Sequence, residues 1–432
     1  MIFLRSFKSS LRTAMAVLFY GHGVVFACFT VMFLLYGSVL NTFTIFLNPI
    51  VDDLGWSRGA LSVAMGVGAI GMALAAPIAG KLMDRIGAKP LMIAGTLMIG
   101  LGILGASRIM RPWQIYMLYS LVGCGLACAT VIPCSLIISN WFASRRGMAM
   151  GIMAMGTSTG GMLMSPFANW IILNHGWRMA YMLSGTVILS VGLPVIIFLL
   201  RARPSEAGLK PYVDTGQPAR NINDTWGLSV TEAFSAPPFW QIGALMFIIG
   251  IVTSGLGAHI VPCLTDFGHS PTRSAYAWSI ALGVMTVAKF SFGPISDRWG
   301  PRKTMAFACG LMSVSIMILT FATSYKIVAV FAALYGFGVG APLTVNPLLV
   351  GEALGMKNFG ALYGILNLIS IIGAAIGPVA LGIIFDTQGS YMSALYIFIM
   401  LMALTGVIAL FIGSASQQAG IARQIQPADA VE

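Results

Sequence analysis

One lysine lies deep inside an apolar stretch of this sequence. Lys289 sits within ALGVMTVAKFSFGPISDRWGPRK, residues 281–303, one helical turn before Gly293 and two turns before Asp297. In a helix that crosses a bilayer, a cation at this depth costs on the order of 2.5–3.5 kcal/mol, so such residues face a bundle interior or a watery cavity. The sequence therefore predicts a site at which Lys289 meets an anion through charge-assisted hydrogen bonds.

His259 is the second titratable group at depth, and an imidazole exchanges its proton near neutral pH. We therefore take Lys289 and His259 as candidates for proton coupling. The histidine has another interpretation, because residues near Pro262 can satisfy the backbone groups that a proline leaves unbonded. No Asp or Glu lies in the middle of a predicted span, so we expect the substrate to supply the negative charge that Lys289 binds.

Other polar side chains lie within the predicted helices, where each needs a hydrogen-bond partner or a cavity. We predict that the following residues contact the substrate: Tyr36, Asn41, Tyr119, Tyr335 and Asn367. The alternative is that they bond to neighbouring helices. Pro342 and Pro347 also predict a broken or bent helix near this site.

The elements that must position these residues are membrane helices. Of the 432 residues, 58% are hydrophobic and 9% are charged, whereas about 25% are charged in soluble domains. The apolar windows are mostly long enough to span a bilayer and cover 26–48, 59–80, 90–107, 113–138, 147–173, 178–200, 239–264, 274–294, 303–323, 327–350, 360–384 and 391–413. We therefore predict an all-α membrane protein with twelve transmembrane helices.

The net charge of +11 raises the question of nucleic-acid binding. The basic residues instead follow alternate predicted loops, which is the positive-inside pattern. With a cytoplasmic N-terminus, seventeen Lys and Arg residues lie inside and six outside, and Lys289 remains in the membrane. We therefore predict that both termini are cytoplasmic. The first window is too long, and begins too far behind Arg12, to be a cleaved signal peptide.

The cysteines fall in apolar spans without metal-ligand spacing, which favours buried free thiols over disulfides. They are Cys28, Cys124, Cys128, Cys134, Cys263 and Cys309. The sequence also contains no recognisable nucleophile and base pair. It therefore predicts neither an enzyme nor a cofactor or metal site.

An internal repeat with an offset of 213 residues organises the chain. It pairs Asp84 with Asp297 and Arg85 with Arg298, and it continues through a series of glycines. The repeat predicts two pseudo-symmetric six-helix halves at residues 1–200 and 237–415, a cytoplasmic linker at 201–236 and a cytoplasmic tail at 416–432. Parallel halves of this kind are typical of transporters that bind substrate where the halves meet, near the bilayer midplane.

The same offset pairs Lys289 with Ala76. A lysine is therefore not a requirement of the fold at this position, which favours a functional role over a purely structural one.

Two loops carry a resemblance to a known family. GKLMDRIGAK at 80–89 and GPISDRWGPRK at 293–303 occupy matching places in the repeat and resemble the signature loop of the major facilitator superfamily. In that family the loop latches helices on the cytoplasmic side during alternating access. The resemblance implies a gating role for Asp84, Arg85, Asp297 and Arg298.

Further segments narrow the resemblance: NWFASRRGMAMGI at 140–152, GWSRGALS at 55–62, RPSEAGLKP at 203–211 and HIVPCLTDFG at 259–268. Together they resemble bacterial monocarboxylate transporters and oxalate–formate exchangers. The resemblance implies that a cation on helix eight binds the carboxylate of a small organic anion.

The chain departs from this narrower group at several site positions. Lys289 stands where arginine is usual, while Asn41 and Met285 replace a lysine and an acid of the animal members. The second basic residue that the oxalate exchangers carry on helix eleven is also absent. Because a lysine is a point charge and an arginine a planar fork, we expect a different carboxylate geometry and proton relay.

These observations predict a secondary active transporter of a small organic anion, such as lactate or pyruvate, that works by alternating access with proton coupling. The alternatives are an exchanger of the oxalate–formate type, a carrier of a larger carboxylate, a drug exporter and a non-transporting receptor. The expected partners are a small carboxylate anion, a proton or counter-anion and membrane lipid, without nucleic acid. We expect a monomer in the bacterial inner membrane.

Overall fold

Helices dominate the computed structural model, which describes residues 20–56, 58–209, 211–212 and 227–413. Three predicted features lie wholly or partly outside these residues. They are the basic N-terminal segment, residues 213–226 of the predicted linker, and the predicted tail 416–432.

The first compact unit contains the described residues of Met1–Asn223 together with Lys289–Asp297. Its helices are α1 (Tyr20–Leu40), α2 (Phe43–Leu54), α3 (Arg58–Ile86), α4 (Ala88–Ala106), α5 (Pro112–Ala129), α6 (Val131–Trp141) and α7 (Arg146–Val187). Helix α5 packs against α3 and α4, and α7 packs against α1 and α4. The large apolar side chains between these helices form the core of the unit.

The second compact unit contains Asp224–Ala288 and Arg298–Glu432, of which residues 227–288 and 298–413 are described. Its helices are α8 (Val230–Ser235), α9 (Pro237–Asp266), α10 (Pro271–Trp299), α11 (Pro301–Leu319), α12 (Tyr325–Val339), α13 (Ala341–Ala353), α14 (Phe359–Gln388) and α15 (Met392–Phe411). Helix α9 packs against α14 and α15, while α11 packs against α12 and α15. Helix α10 contributes its residues before Lys289 to this unit and Lys289–Asp297 to the first.

Eleven helical stretches in the described residues are long and apolar enough to cross a membrane. One of them, Arg146–Leu199, has 54 residues, which at about 1.5 Å per residue is far longer than a hydrocarbon core of about 30 Å. Gly176 interrupts it with φ 83° and ψ 163°, so the stretch makes two crossings. The prediction of twelve transmembrane helices is therefore confirmed.

The 213-residue repeat is also visible in the backbone conformation of the turns. Positive φ angles, which glycine adopts without the Cβ penalty of other residues, occur in three pairs at this offset. The pairs are Gly55 and Gly268, Gly87 and Gly300, and Gly176 and Gly389. The two halves of the sequence therefore turn at matching places.

The predicted break near Pro342 is present. Helix α12 ends at Val339 and α13 begins at Ala341. A proline lacks the backbone N–H and its ring crowds the carbonyl four residues earlier, so the helix is interrupted just before Pro342, whereas Pro347 lies inside α13.

The six cysteines are free thiols, as the sequence predicts. Four of them are buried and two are half-buried.

Glycines bring α1 and α7 into close contact. A Cβ atom on Gly37 of α1 would lie 2.8 Å from the carbonyl of Gly160. A Cβ atom on Gly160 would in turn meet the backbone of Phe33. Because backbone atoms face these glycines, the helices would have to separate to admit a side chain.

Gly160→Ala is therefore expected to destabilise the protein by about 1 to 3 kcal/mol, the usual cost of overpacking. Thermal unfolding in detergent measures this effect. Gly23→Ala on α1 is the matched control, because its Cβ would meet nothing within 4 Å. Equal melting temperatures for Gly160→Ala and wild type would show that the two helices can separate at little cost.

Candidate functional site

The Lys289 ammonium is held by two hydroxyl groups of α7. Lys289 is only 7% exposed. Its Nζ atom donates a hydrogen bond to Thr157 Oγ1 at 2.8 Å and to Ser158 Oγ at 2.5 Å. All three residues belong to the first unit. The site therefore presents a buried cation with neutral hydroxyl acceptors around it.

The backbones of α7 and α10 pack closely enough for Lys289 of α10 to contact α7. A Cβ atom on Gly151 would lie 2.8 Å from the Lys289 carbonyl oxygen, and a Cβ atom on Gly147 would lie still closer to the Gly293 carbonyl oxygen. Larger side chains at these positions would push Lys289 away from the hydroxyl groups.

Thr157 is oriented as an acceptor. Its own hydroxyl donates to the backbone carbonyl of Ala154 at 2.9 Å, so the lone pairs of Oγ1 remain for the ammonium. Thr157 is buried, and its rotamer is thus set by the helix itself as well as by Lys289.

Asn41 and Lys289 both form hydrogen bonds with the same residue of α7, Thr157. Asn41, which lies between α1 and α2, donates from Nδ2 to the Thr157 backbone carbonyl at 2.9 Å. The Asn41 carbonyl oxygen accepts from Ser165 Oγ at 3.4 Å. The structure therefore links two predicted site residues through Thr157.

Tyr36 is half-buried in the π-helical turn Tyr36–Leu40 that ends α1. Its backbone carbonyl accepts from the N–H of Asn41 at 3.1 Å. Its side chain lies beside Thr130, the residue between the end of α5 and the start of α6. Tyr36 thus supports the backbone that presents Asn41.

Tyr119 belongs to an aromatic cluster. Its hydroxyl lies 3.0 Å from the Tyr181 hydroxyl, and its ring meets the Phe43 ring edge-on at 5.3 Å between centroids. Tyr181 in turn stacks on Phe46 at 4.0 Å. This arrangement corresponds to the alternative of bonding between helices, and the predicted substrate contact of Tyr119 stays a prediction.

Tyr335 and Asn367 lie in the second unit. Tyr335 is 1% exposed and stacks on Phe331 at 5.4 Å. Within the described part of the chain its hydroxyl finds no hydrogen-bond partner. A buried polar group of this kind calls for a functional or solvent explanation. Asn367 is half-buried on α14, and the substrate-binding roles of both residues stay predictions.

His259 joins α9 to two other elements of the second unit. Its Nε2 lies 3.1 Å from the Pro378 carbonyl oxygen and its Nδ1 lies 3.1 Å from the Tyr391 hydroxyl. A carbonyl can only accept, so Nε2 carries a proton and a neutral ring accepts from Tyr391. Burial raises the pKa of Tyr391, and the nearby Asp266 carboxylate raises it further, so the hydroxyl stays protonated.

The partner of His259 differs from the one that the sequence indicates. Because Pro262 leaves backbone groups of α9 without hydrogen bonds, the sequence indicates a partner for His259 on its own helix. The carbonyl that His259 binds belongs instead to Pro378 on α14. The proton-coupling role of His259 stays a prediction.

Asp297 caps the N-terminus of α7. Its Oδ1 accepts from the Gly147 N–H at 2.7 Å and its Oδ2 accepts from the Met148 N–H at 3.0 Å. Arg145 precedes the helix with a left-handed φ of 59°. A carboxylate at a helix N-terminus satisfies unbonded N–H groups and complements the helix dipole.

The other predicted gating residues are exposed. Asp84 and Arg85 lie near the end of α3, and Arg298 follows Asp297 on α10. Asp297 binds backbone amides, and Arg145 and Arg146 lie near enough to interact with it through charge. The gating roles of all four residues stay predictions.

Thr157 and Ser158 are the site residues that the sequence did not single out. They belong to the segment GTSTGG, whose small residues predict helix packing. The run of adjacent hydroxyls was the available signal, but nothing in the sequence linked it to Lys289.

Comparison with known proteins identifies the family. The model of the Major Facilitator Superfamily matches residues 25–291 and 260–428. Rat monocarboxylate transporter 13 is 26% identical over 375 residues, which are 86% of this chain and 84% of the relative. The oxalate:formate antiporter of Oxalobacter formigenes is 24% identical over 351 residues, 79% of this chain and 80% of the antiporter.

Efflux proteins are also similar to this chain. The fujikurins efflux protein of Gibberella fujikuroi is 28% identical over 345 residues, 78% of this chain and 70% of the relative.

A solved structure shares the fold. A crystal structure of the E. coli fucose:proton symporter superposes with a TM-score of 0.70 at 15% identity, covering 90% of this chain and 98% of the symporter. Together with the twelve membrane crossings, these matches show that the chain belongs to the major facilitator superfamily and is a multi-pass membrane transporter.

Proposed function

We propose that this transporter moves a small organic anion, a monocarboxylate such as lactate or pyruvate, by alternating access of Lys289 to the two sides of the membrane. The observation that carries the proposal is the buried ammonium held by Thr157 and Ser158. Hydroxyl groups accept hydrogen bonds from this cation without neutralising its charge. A carboxylate that reaches Lys289 supplies both a charge and two acceptor oxygens.

Two relatives support the same substrate class, since one is a monocarboxylate transporter and the other an oxalate:formate antiporter. The antiporter supports exchange of anions as the alternative mechanism. The efflux relative supports export of a larger molecule, although the deep cation favours an anionic cargo whatever its size.

We also propose coupling to a proton. Lys289 can carry the proton itself, and His259 is the second candidate. Protonation of His259 would turn Nδ1 from an acceptor into a donor. The Tyr391 hydroxyl would then have to reverse its hydrogen bond, which gives the protonation state a structural consequence.

The remaining proposals follow from the sequence. The excess of basic residues in alternate loops supports cytoplasmic termini, and we propose a bacterial inner-membrane location. The proposed partners are the carboxylate, a proton or counter-anion and membrane lipid, with the protein acting as a monomer.

Purified protein in proteoliposomes is expected to take up a labelled carboxylate from a panel of lactate, pyruvate, formate and oxalate. Acceleration by an inward proton gradient supports symport, whereas acceleration only by a preloaded internal anion supports exchange. Protein-free liposomes and a labelled organic cation serve as controls. If the cation moves and no carboxylate does, the proposed function is wrong.

A further inference from the structure

Two neighbouring hydroxyls on α7 converge on one nitrogen atom. Successive side chains of a helix point about 100° apart, yet Thr157 Oγ1 and Ser158 Oγ both lie within 2.8 Å of Lys289 Nζ. The ammonium therefore sits over the groove between the two side chains. Two glycines that flank this part of α7, Gly156 and Gly160, lie against the backbone of α1.

Thr157 is held from several directions. Its hydroxyl donates to Ala154, its backbone carbonyl accepts from Asn41, and the first helix packs against α7 at Gly160. A threonine fixed in this way is a preorganised acceptor. It needs no reorganisation to receive the ammonium.

A carrier that works by alternating access must also reorient after it has released its anion if it is to produce net transport. An ammonium without acceptors is costly in the membrane interior, and this cost would oppose that return step. Acceptors that belong to the protein lower the cost. Acceptors that arrive only with the anion would restrict the protein to exchange.

We infer that Thr157 and Ser158 are positioning residues that hold the Lys289 ammonium when no anion is bound to it, and that they thereby permit net transport as well as exchange. The inference rests on the proposed function, because it concerns the same cation. It keeps the proton on Lys289 during the return step and therefore assigns proton coupling to His259, the second candidate. It assigns the two hydroxyls to the return step of the cycle, whereas Lys289 serves both steps.

The transport test compares net uptake with exchange in the double variant Thr157→Val/Ser158→Ala. Labelled pyruvate and lactate are supplied outside proteoliposomes that contain either no anion or the same unlabelled anion. We expect net uptake to fall about tenfold or more, the effect of losing a hydrogen bond to a charged group. We expect exchange to change less than about threefold, because the bound carboxylate replaces the missing acceptors.

Thr159→Val is the matched control on the same helix. Thr159 is half-buried and its hydroxyl donates to the Met155 carbonyl at 3.0 Å, so the change also removes a back-bonded hydroxyl. Net uptake and exchange are expected to stay at wild-type rates in this variant. An equal loss of both rates in the double variant, or no loss of net uptake, would overturn the inference.

A stability measurement tests the same contact without any anion. The double variant is expected to melt at a lower temperature than wild type, and adding Lys289→Met is expected to remove this difference, because the ammonium that the two hydroxyls hold is then absent. Additive effects of the two changes would contradict the inference. Failure of the proposed function would be seen separately, as unchanged carboxylate uptake in Lys289→Met alone.

Discussion

Replacement of Lys289 by methionine is expected to reduce carboxylate uptake at least about a hundredfold, both in net transport and in exchange. Removing one partner of a buried charged pair costs about 2 to 5 kcal/mol, and each 1.4 kcal/mol corresponds to about tenfold. Methionine preserves the length and packing of the side chain, so the loss reports the ammonium and not the space that it fills. Initial uptake rates at equal protein density provide the measurement.

Lys289→Arg separates charge from geometry at the same position. It is expected to retain part of the uptake, because arginine keeps the positive charge but presents a planar fork to the carboxylate and to the hydroxyls of Thr157 and Ser158. Lys326→Met provides the control for loss of a lysine, since Lys326 is exposed at the start of α12. Undiminished uptake in Lys289→Met would exclude this lysine from the anion site.

Asp297→Ala is expected to lower the maximal transport rate about tenfold while the KM for the carboxylate stays near its wild-type value. The change removes both acceptors from the N–H groups of Gly147 and Met148. The loss of a helix cap costs about 0.5 to 2 kcal/mol, and the favourable interaction of the carboxylate with the helix dipole is lost with it. The affected end of α7 lies far along the helix from Thr157, so the anion site itself keeps its residues.

Asp297→Asn refines this test, because an amide retains one acceptor oxygen and no charge. We expect its rate to fall between those of wild type and Asp297→Ala. Asp52→Asn on the exposed end of α2 is the control for loss of an acid. A large rise in KM with an unchanged maximal rate would place Asp297 in substrate binding and not in gating.

The membrane helices could be predicted because their information is local. Hydropathy identified the spans, the repeat matched the loops around Asp84 and Asp297, and Pro342 marked a helix break. Even the division of Arg146–Leu199 follows from a glycine that the repeat pairs with Gly389. Each of these features depends on a few consecutive residues or on a fixed offset.

The partners of the functional side chains could not be predicted, because they depend on how helices are rotated against one another. Lys289 meets hydroxyls 131 and 132 residues away. His259 binds a carbonyl 119 residues away, although a proline lies much closer in its own helix. For Tyr119 the sequence left open whether its hydroxyl meets substrate or another helix, and the structure supplies Tyr181.

The paired left-handed glycines have a consequence for how such a chain can evolve. After a duplication, each copy keeps the turns that their shared backbone requires. A mutation at either glycine of a pair is therefore disfavoured in both halves of the chain. Positions inside the helices need no positive φ angle, so the side chains of the two copies can differ there. Lys289 and Ala76 are such a pair, because the 213-residue offset matches them although one is a cation and the other a small apolar residue.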